Sequence, residues 1–362
     1  MKKTLLIAGL ATVTLFACKK DDGDNNASAE DFKTTEQKAL IDFVDVVAVP
    51  QYTDLSAKAD ALNAAVVALN TTPTDNNLAN ARTAWIDMRS VWEQCEGFLF
   101  GPVEDDYYDP SMDTWPTDYR QMDSLMSSTS TLSQSIIQTI TYSLRGFHPL
   151  EYILFGANGS RKAVDITPRQ KEYMLVLAQD LKDNCQQLAT SWSPMGGNYA
   201  GTVKTAGYGS TKYTTRHEVY KAIADGLVTI CGEVGEGKMQ DPLGANAGAA
   251  DSQLVESPYS GNSVSDFKNN IVGLENVYLS RYGSRNGKSL SDVVKANNQS
   301  LDNTIRTQIT AAINSFNLIT LPYEQAIYSQ RTQIQQTQTA LATLQATLDV
   351  DLHKYIDQYI KD

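Results

Sequence analysis

Leu78, Ala81, Trp85, Met88, Trp92, Cys95 and Leu99 follow one another at alternating steps of three and four residues. That spacing puts them on one side of an α-helix as an apolar stripe, which other helices with matching stripes cover best. Gly101-Pro102 ends the run. The pattern recurs. Leu55, Ala59, Leu62, Val66 and Leu69 precede it, and Met174, Leu177, Leu181, Cys185, Leu188 and Trp192 follow the helix-start signal Thr167-Pro168. Leu290, Val294, Leu301, Ile305, Ile309, Ile313 and Phe316 make a further stripe, and Ile327, Ile334, Leu341, Leu348 and Tyr355 recur every seven residues toward the C-terminus. No hairpin dipeptide sits between alternating runs. The expectation is an all-α chain built as two helical bundles in tandem.

Two stretches lack such periodicity. Ser193 to Thr214, with five glycines and scattered tyrosines, is the candidate domain boundary. It separates an N-terminal bundle over 32–195 from a C-terminal bundle over 215–362. The Gly/Ala/Ser-rich run from Gly235 to Asn262 reads as a long surface excursion. Residues 102–120 read as a loop rich in acids and aromatics, without the spacing of an EF-hand. Leu125 to Leu144 reads as helix.

The formal net charge of −12 makes nucleic acid a poor partner and favours cations. Residues 1–17 have the form of a secretory leader: Lys2 and Lys3, then an apolar run too short to remain as a membrane span. Leu15-Phe16-Ala17-Cys18 has the form of a bacterial lipobox, with Cys18 as the lipidated residue and residues 18–31 as a flexible tether. A lipid on Cys18 makes the outer membrane a partner, and the acidic cluster Asp21-Asp22-Gly23-Asp24 hints at the outer leaflet. Cys95, Cys185 and Cys231 remain, an odd number without CxxC spacing, and read as buried thiols.

Chemistry concentrates in Gly146-Phe147-His148-Pro149-Leu150-Glu151. Proline suits the first helical position, so His148 falls at or next to the cap and Glu151 in the first turn. Residues three apart share a helix face, so imidazole and carboxylate can converge on one ion. The competing reading is a local cap, with Glu151 reaching back to a backbone N–H. Glu93 and Glu96 are also three apart, and Glu93 points about 130° away from its helix's own apolar stripe at about 100° per residue. It therefore faces solvent, the usual fate of a helical glutamate, or a second domain. HExxH is absent, because Lys221 stands where His217-Glu218 would need histidine. GxSxG, P-loop and GxGxxG signatures are absent too. His217 and His353 read as capping or surface residues.

The hexapeptide matches the GxHxxE motif of imelysin-like proteins. Its surroundings also resemble that family: Trp92-Glu93-Gln94-Cys95-Glu96-Gly97-Phe98-Leu99-Phe100-Gly101-Pro102, Asp113-Thr114-Trp115-Pro116-Thr117-Asp118, and Glu275-Asn276-Val277-Tyr278-Leu279 with Arg281-Tyr282-Gly283. The resemblance runs from about residue 32 to the end. It implies two four-helix-bundle-like domains with a cleft between them, an envelope location and an association with iron supply. Carried over from related iron-uptake domains, the implied metal ligands are His148, Glu151, Glu93, Glu96 and Asp113, with Gly146 as the motif's invariant glycine. Glu218 is a further acid that no motif identifies. One nitrogen and several carboxylates suit iron, manganese or calcium, with zinc less favoured.

Three functions follow from this reading. The first is capture of a divalent metal, iron favoured, or of an iron-carrying ligand. The second is a metallopeptidase, since the family is named for an insulin-cleaving protein. The third is a structural, haem-binding or protein-binding surface lipoprotein, for which the sequence identifies no protein partner.

Overall fold

The structure is a computed structural model that describes residues 29–362. The expected leader, Cys18 and most of the expected tether lie outside the described residues, and the expected lipid anchor with them. Among the described residues the only strands are Arg281–Tyr282 and Arg285–Asn286, paired antiparallel. All else of regular structure is helical, as the stripes predict.

Ala29–Asp42 runs through a π-helical turn, Phe43–Ala48, into Val49–Thr71. Pro50 follows directly on that π-helical turn, and the rod continues through the proline. Asp75–Cys95 starts from Thr74, whose side chain accepts from Asn77 N. The stripe from Leu78 to Cys95 is buried and Leu99 is half-buried. Pro168–Trp192 begins with the capping box Thr167/Gln170. Val49–Thr71 lies against both Asp75–Cys95 and Pro168–Trp192. In the second half, Arg216–Gly232, Ser263–Leu279, Gln299–Ser315 and Arg331–Ala346 pack together. The heptad residues Ile327, Ile334, Leu341, Leu348 and Tyr355 are all buried.

The halves meet where Ser263–Leu279 lies along Asp75–Cys95. Gly273 permits the approach: a Cβ there would run into the Gln94 carbonyl. The buried apolar residues form one cluster extending from Ala39 to Ile360. Cys95, Cys185 and Cys231 are buried free thiols. No helix among the described residues is long and apolar enough to cross a membrane.

Four segments differ from the sequence expectation, two of them by short helices: Pro102–Asp105 and Tyr108–Asp113 within the expected loop 102–120, and Tyr199–Lys204 within the expected boundary Ser193 to Thr214. Leu125 to Leu144 is three short pieces, the end of Tyr119–Ser127, Gln134–Ile137 and Tyr142–Leu144. Between them the Ser128 and Thr139 hydroxyls donate to the Leu125 and Ile136 carbonyls as turns close, and Ser133 caps the start of Gln134–Ile137. Gly235 to Asn262 is no surface excursion. Lys238, Met239, Leu243, Val255, Glu256 and Ser257 are buried, so isolated anchors rather than a periodic face fix it.

Candidate metal centre at the junction of the two halves

Gly146 caps the helix Phe147–Phe155 at φ +78°, in the left-handed region that glycine tolerates. A Cβ there would collide with the Met112 carbonyl. The glycine thus presses the HxxE helix against the residue preceding Asp113. His148 Nε2 lies 2.9 Å from Asp113 Oδ1. The helix starts two residues earlier than Pro149 predicts, leaving the proline in the third position, where its N–H would still be unpaired.

Glu151 does not cap its own helix. Its Oε1 accepts from Tyr259 N (3.1 Å), Ser260 N (2.7 Å) and Ser260 Oγ (2.7 Å), all in the second half. Burial pushes its carboxyl up to about 7, against the pull of His148 and the Ser260 hydrogen bonds.

Glu93 faces the second half rather than solvent and is wholly buried, with Glu96 nearly so. Asn270, one turn before Gly273, donates through Nδ2 to Glu93 Oε2 (2.6 Å) and Glu96 Oε2 (2.7 Å). Two cations enter the same space. Arg89, one turn before Glu93, pairs with Glu93 and Asp113 and lies 3.4 Å from Glu256 and 3.8 Å from Asp266. Its Cζ stands 4.8 Å from the Phe147 ring centroid. Lys238 Nζ reaches Glu96 Oε2 (2.8 Å), Glu256 Oε1 (2.9 Å) and Glu93 Oε2 (3.5 Å). Burial works against the charge of both bases, but the surrounding carboxylates outweigh it and keep them protonated.

The acids respond unequally. Burial pushes Glu93 and Glu96 well above the usual carboxylate range, and for Glu96 the Glu93 charge adds to it. Burial alone would raise Asp113 as well, but Arg89 and then His148 reverse this and hold it well below that range. Burial lifts Asp266 to about 6 despite Arg89. Trp92 Nε1 donates to Asp113 Oδ2 at 2.6 Å, fixing the carboxylate's orientation.

Of the five expected ligands, Glu93, Glu96 and His148 therefore gather around a fourth, Asp113. Ligand atoms of Glu93, Glu96 and Asp113 lie within 4.8 Å of one another, as do those of Asp113, His148 and Glu256, and those of Glu93, Glu256 and Asp266. Glu151 is in none of these groups; its Oε1 is held by the second-half loop and its Oε2 is buried without a hydrogen-bond partner. Glu218 is exposed and caps its own helix through Thr214 N and Thr215 N, away from the centre. His217 pairs with Asp357 and His353 with Asp225 near the surface. The cleft implied by the resemblance is closed over these side chains: His148 is 1% exposed and Glu151 0%.

The imelysin family model, which carries a peptidase name, matches residues 48–349. The chain belongs to the imelysin family. Iron-regulated protein A of Synechococcus elongatus is 30% identical over 312 residues, spanning 85% of this chain and 83% of that protein. A crystal structure from Parabacteroides distasonis, named as an iron-regulated protein A precursor, superposes with a TM-score of 0.79 at 29% identity, over 91% of this chain and 95% of that one. An imelysin-like protein of Psychrobacter arcticum shares the fold alone, with a TM-score of 0.72 at 15% identity over 92% and 97% of the two chains.

In this family member the motif residues are only part of the centre. Arg89, Lys238, Glu256, Asp266 and Asn270 were not found from sequence. Arg89 had a signal, since it stands four residues after Trp85 and four before Glu93, on the buried side of the helix. Asp266 and Asn270 share the face that includes Gly273 at spacings of four and three. Lys238 and Glu256 had none, being set in the aperiodic Gly-rich stretch.

Proposed function

We propose that this chain is a lipid-anchored envelope protein that captures a divalent metal ion, iron in preference, at the junction of its halves. The carrying observation is a buried charge imbalance. Five carboxyls, Glu93, Glu96, Asp113, Glu256 and Asp266, face two fixed cations, Arg89 and Lys238. Buried carboxylates in such excess require protons or a further cation. His148 Nδ1, Glu256 Oε2 and Asp266 Oδ2 are also buried with no hydrogen-bond partner. Asp113, His148 and Glu256 are the residues that would hold the ion, with Glu93 and Glu96 beside Asp113. One imidazole among carboxylate oxygens suits iron or manganese better than a sulfur-rich site would.

The iron-regulated names of the relatives favour iron, and the leader with Cys18 favours the envelope. Binding is better supported than peptide hydrolysis. A peptidase would need Glu93 or Glu96 as its general base, and both are held by Lys238 and Asn270.

The test is titration of leaderless protein with Fe(II), Mn(II), Ca(II) and Zn(II), together with metal analysis of protein purified without chelator. The expected result is a Kd of about 1 μM or tighter for Fe(II), lost in Asp113→Asn and His148→Ala. Absence of binding by the parent protein rejects the reading. Chelator-sensitive cleavage of an unfolded peptide, abolished by Asp113→Asn, would replace it with a peptidase.

A further inference from the structure

A cavity of about 450 Å³ lies beside the HxxE helix, with Tyr119, Tyr152, Tyr259, Asn158, Asp123 and Glu324 in its wall. Tyr152 and Tyr259 adjoin the tie between the halves, since Tyr152 follows Glu151 and Tyr259 N donates to it. The cavity itself is separate, because no member of the acidic metal groups lines it.

Its chemistry is one-sided. The Tyr152–Tyr259, Tyr119–Tyr152 and Tyr119–Tyr259 centroids are 5.0, 5.6 and 5.8 Å apart, with interplanar angles of 76°, 56° and 75°. Three rings so steeply inclined to one another form a corner, within which one cation can lie close to more than one π-system. The Arg161 guanidinium already lies over Tyr152, 5.6 Å from its centroid. The other two rings and two carboxylates are left to recognise a ligand. Asp123 is exposed at the rim. Glu324 is half-buried, and its Oε2 is sequestered with no hydrogen-bond partner. No lining residue is Lys or Arg, so no cation in the wall answers these acids.

From this we infer that the pocket binds a small organic cation, an amine or quaternary ammonium with a compact apolar body, its charge set against Glu324 and its methyl groups against the tyrosine rings. An anion is repelled by both ring faces and carboxylates. A bare metal ion finds two separated carboxyls and no converging donors.

The test uses tetramethylammonium chloride, followed by tyrosine fluorescence and calorimetry at constant ionic strength. Tert-butyl alcohol serves as an uncharged probe of similar shape. The expected result is saturable binding of the ammonium and none of the alcohol. Affinity should fall at least about tenfold in Glu324→Gln and in Tyr259→Leu. Glu324→Gln preserves shape, so its melting temperature should match the parent's, and Fe(II) titration of the same variant shows whether the buried centre is intact. Absence of saturable ammonium binding, equal binding of the alcohol, or unchanged affinity in Glu324→Gln overturns the proposal. These results stand whether or not the buried centre binds metal.

Discussion

Lys238 Nζ stands 2.8 Å from Glu96 Oε2, joining the aperiodic Gly-rich segment of the second half to the ExxE helix of the first. With Glu256 and Glu93 completing its surroundings, the ammonium occupies the position of a counter-ion that a metal would rival. Two unit charges 4 Å apart interact by about 4 kcal/mol at an effective dielectric of 20. Lys238→Met should therefore tighten Fe(II) binding at least about tenfold. The metal-free protein should lose about 3–5 kcal/mol of stability, because three carboxyls lose a buried partner. Metal titration and denaturant melts of the variant check both. Affinity equal to or weaker than the parent's would mean that the ammonium does not compete with the ion.

Gly146→Ala tests how the motif glycine acts. The backbone at φ +78° costs a non-glycine residue about 1–3 kcal/mol. The collision of Cβ with the Met112 carbonyl adds strain of about 1–3 kcal/mol. We expect a loss of at least about 2 kcal/mol in denaturant melts. Metal affinity should fall with it, because relief of the clash moves His148 away from Asp113. His148→Ala should abolish binding with a much smaller loss of stability.

The all-helical architecture was legible because each long helix carries its own stripe, and stripes such as Leu78 to Cys95 are a local property of sequence. Glu93 was legible as an anomaly: a helix whose core faces Trp85 and Trp92 directs that glutamate elsewhere, and the second half receives it. The partners that neutralise it were not legible. Lys238 and Glu256 are single buried anchors in a segment held by tertiary contacts, and such anchors leave no period. Glu151 was ambiguous for a related reason. Its spacing from His148 suits either a shared ion or a local cap, whereas its actual partners, Tyr259 N and Ser260 N, are distant in sequence.

Glu151 is accordingly expected to behave as a tie between the halves rather than as a ligand. Glu151→Gln keeps an acceptor oxygen for the Tyr259 and Ser260 amides and should leave Fe(II) affinity within about threefold, under 1 kcal/mol. Glu151→Ala leaves those amides without their partner and should cost about 1–3 kcal/mol for each one left dry. Titrations and melts of both variants, beside Asp113→Asn, separate the roles. A glutamine variant that loses binding as completely as Asp113→Asn would return Glu151 to the ligand set.

Glu36 supplies a dependence on pH that is independent of the metal centre. It is 2% exposed, its Oε2 lies 3.3 Å from Arg216 Nε, and burial raises its carboxyl from 4.5 to about 7 despite that arginine. Between those values the folded chain holds a proton that the unfolded chain has released. The folded state therefore binds more protons, and stability falls as pH rises through the window. The parent protein should melt at a lower temperature at pH 7.5 than at pH 5.5. Glu36→Gln, which has no proton to lose there, should show a flatter profile over the same range. Calorimetric melts of both proteins in chelator-containing buffers measure the difference, and parallel profiles would show that Glu36 is already ionised in the fold at pH 5.5.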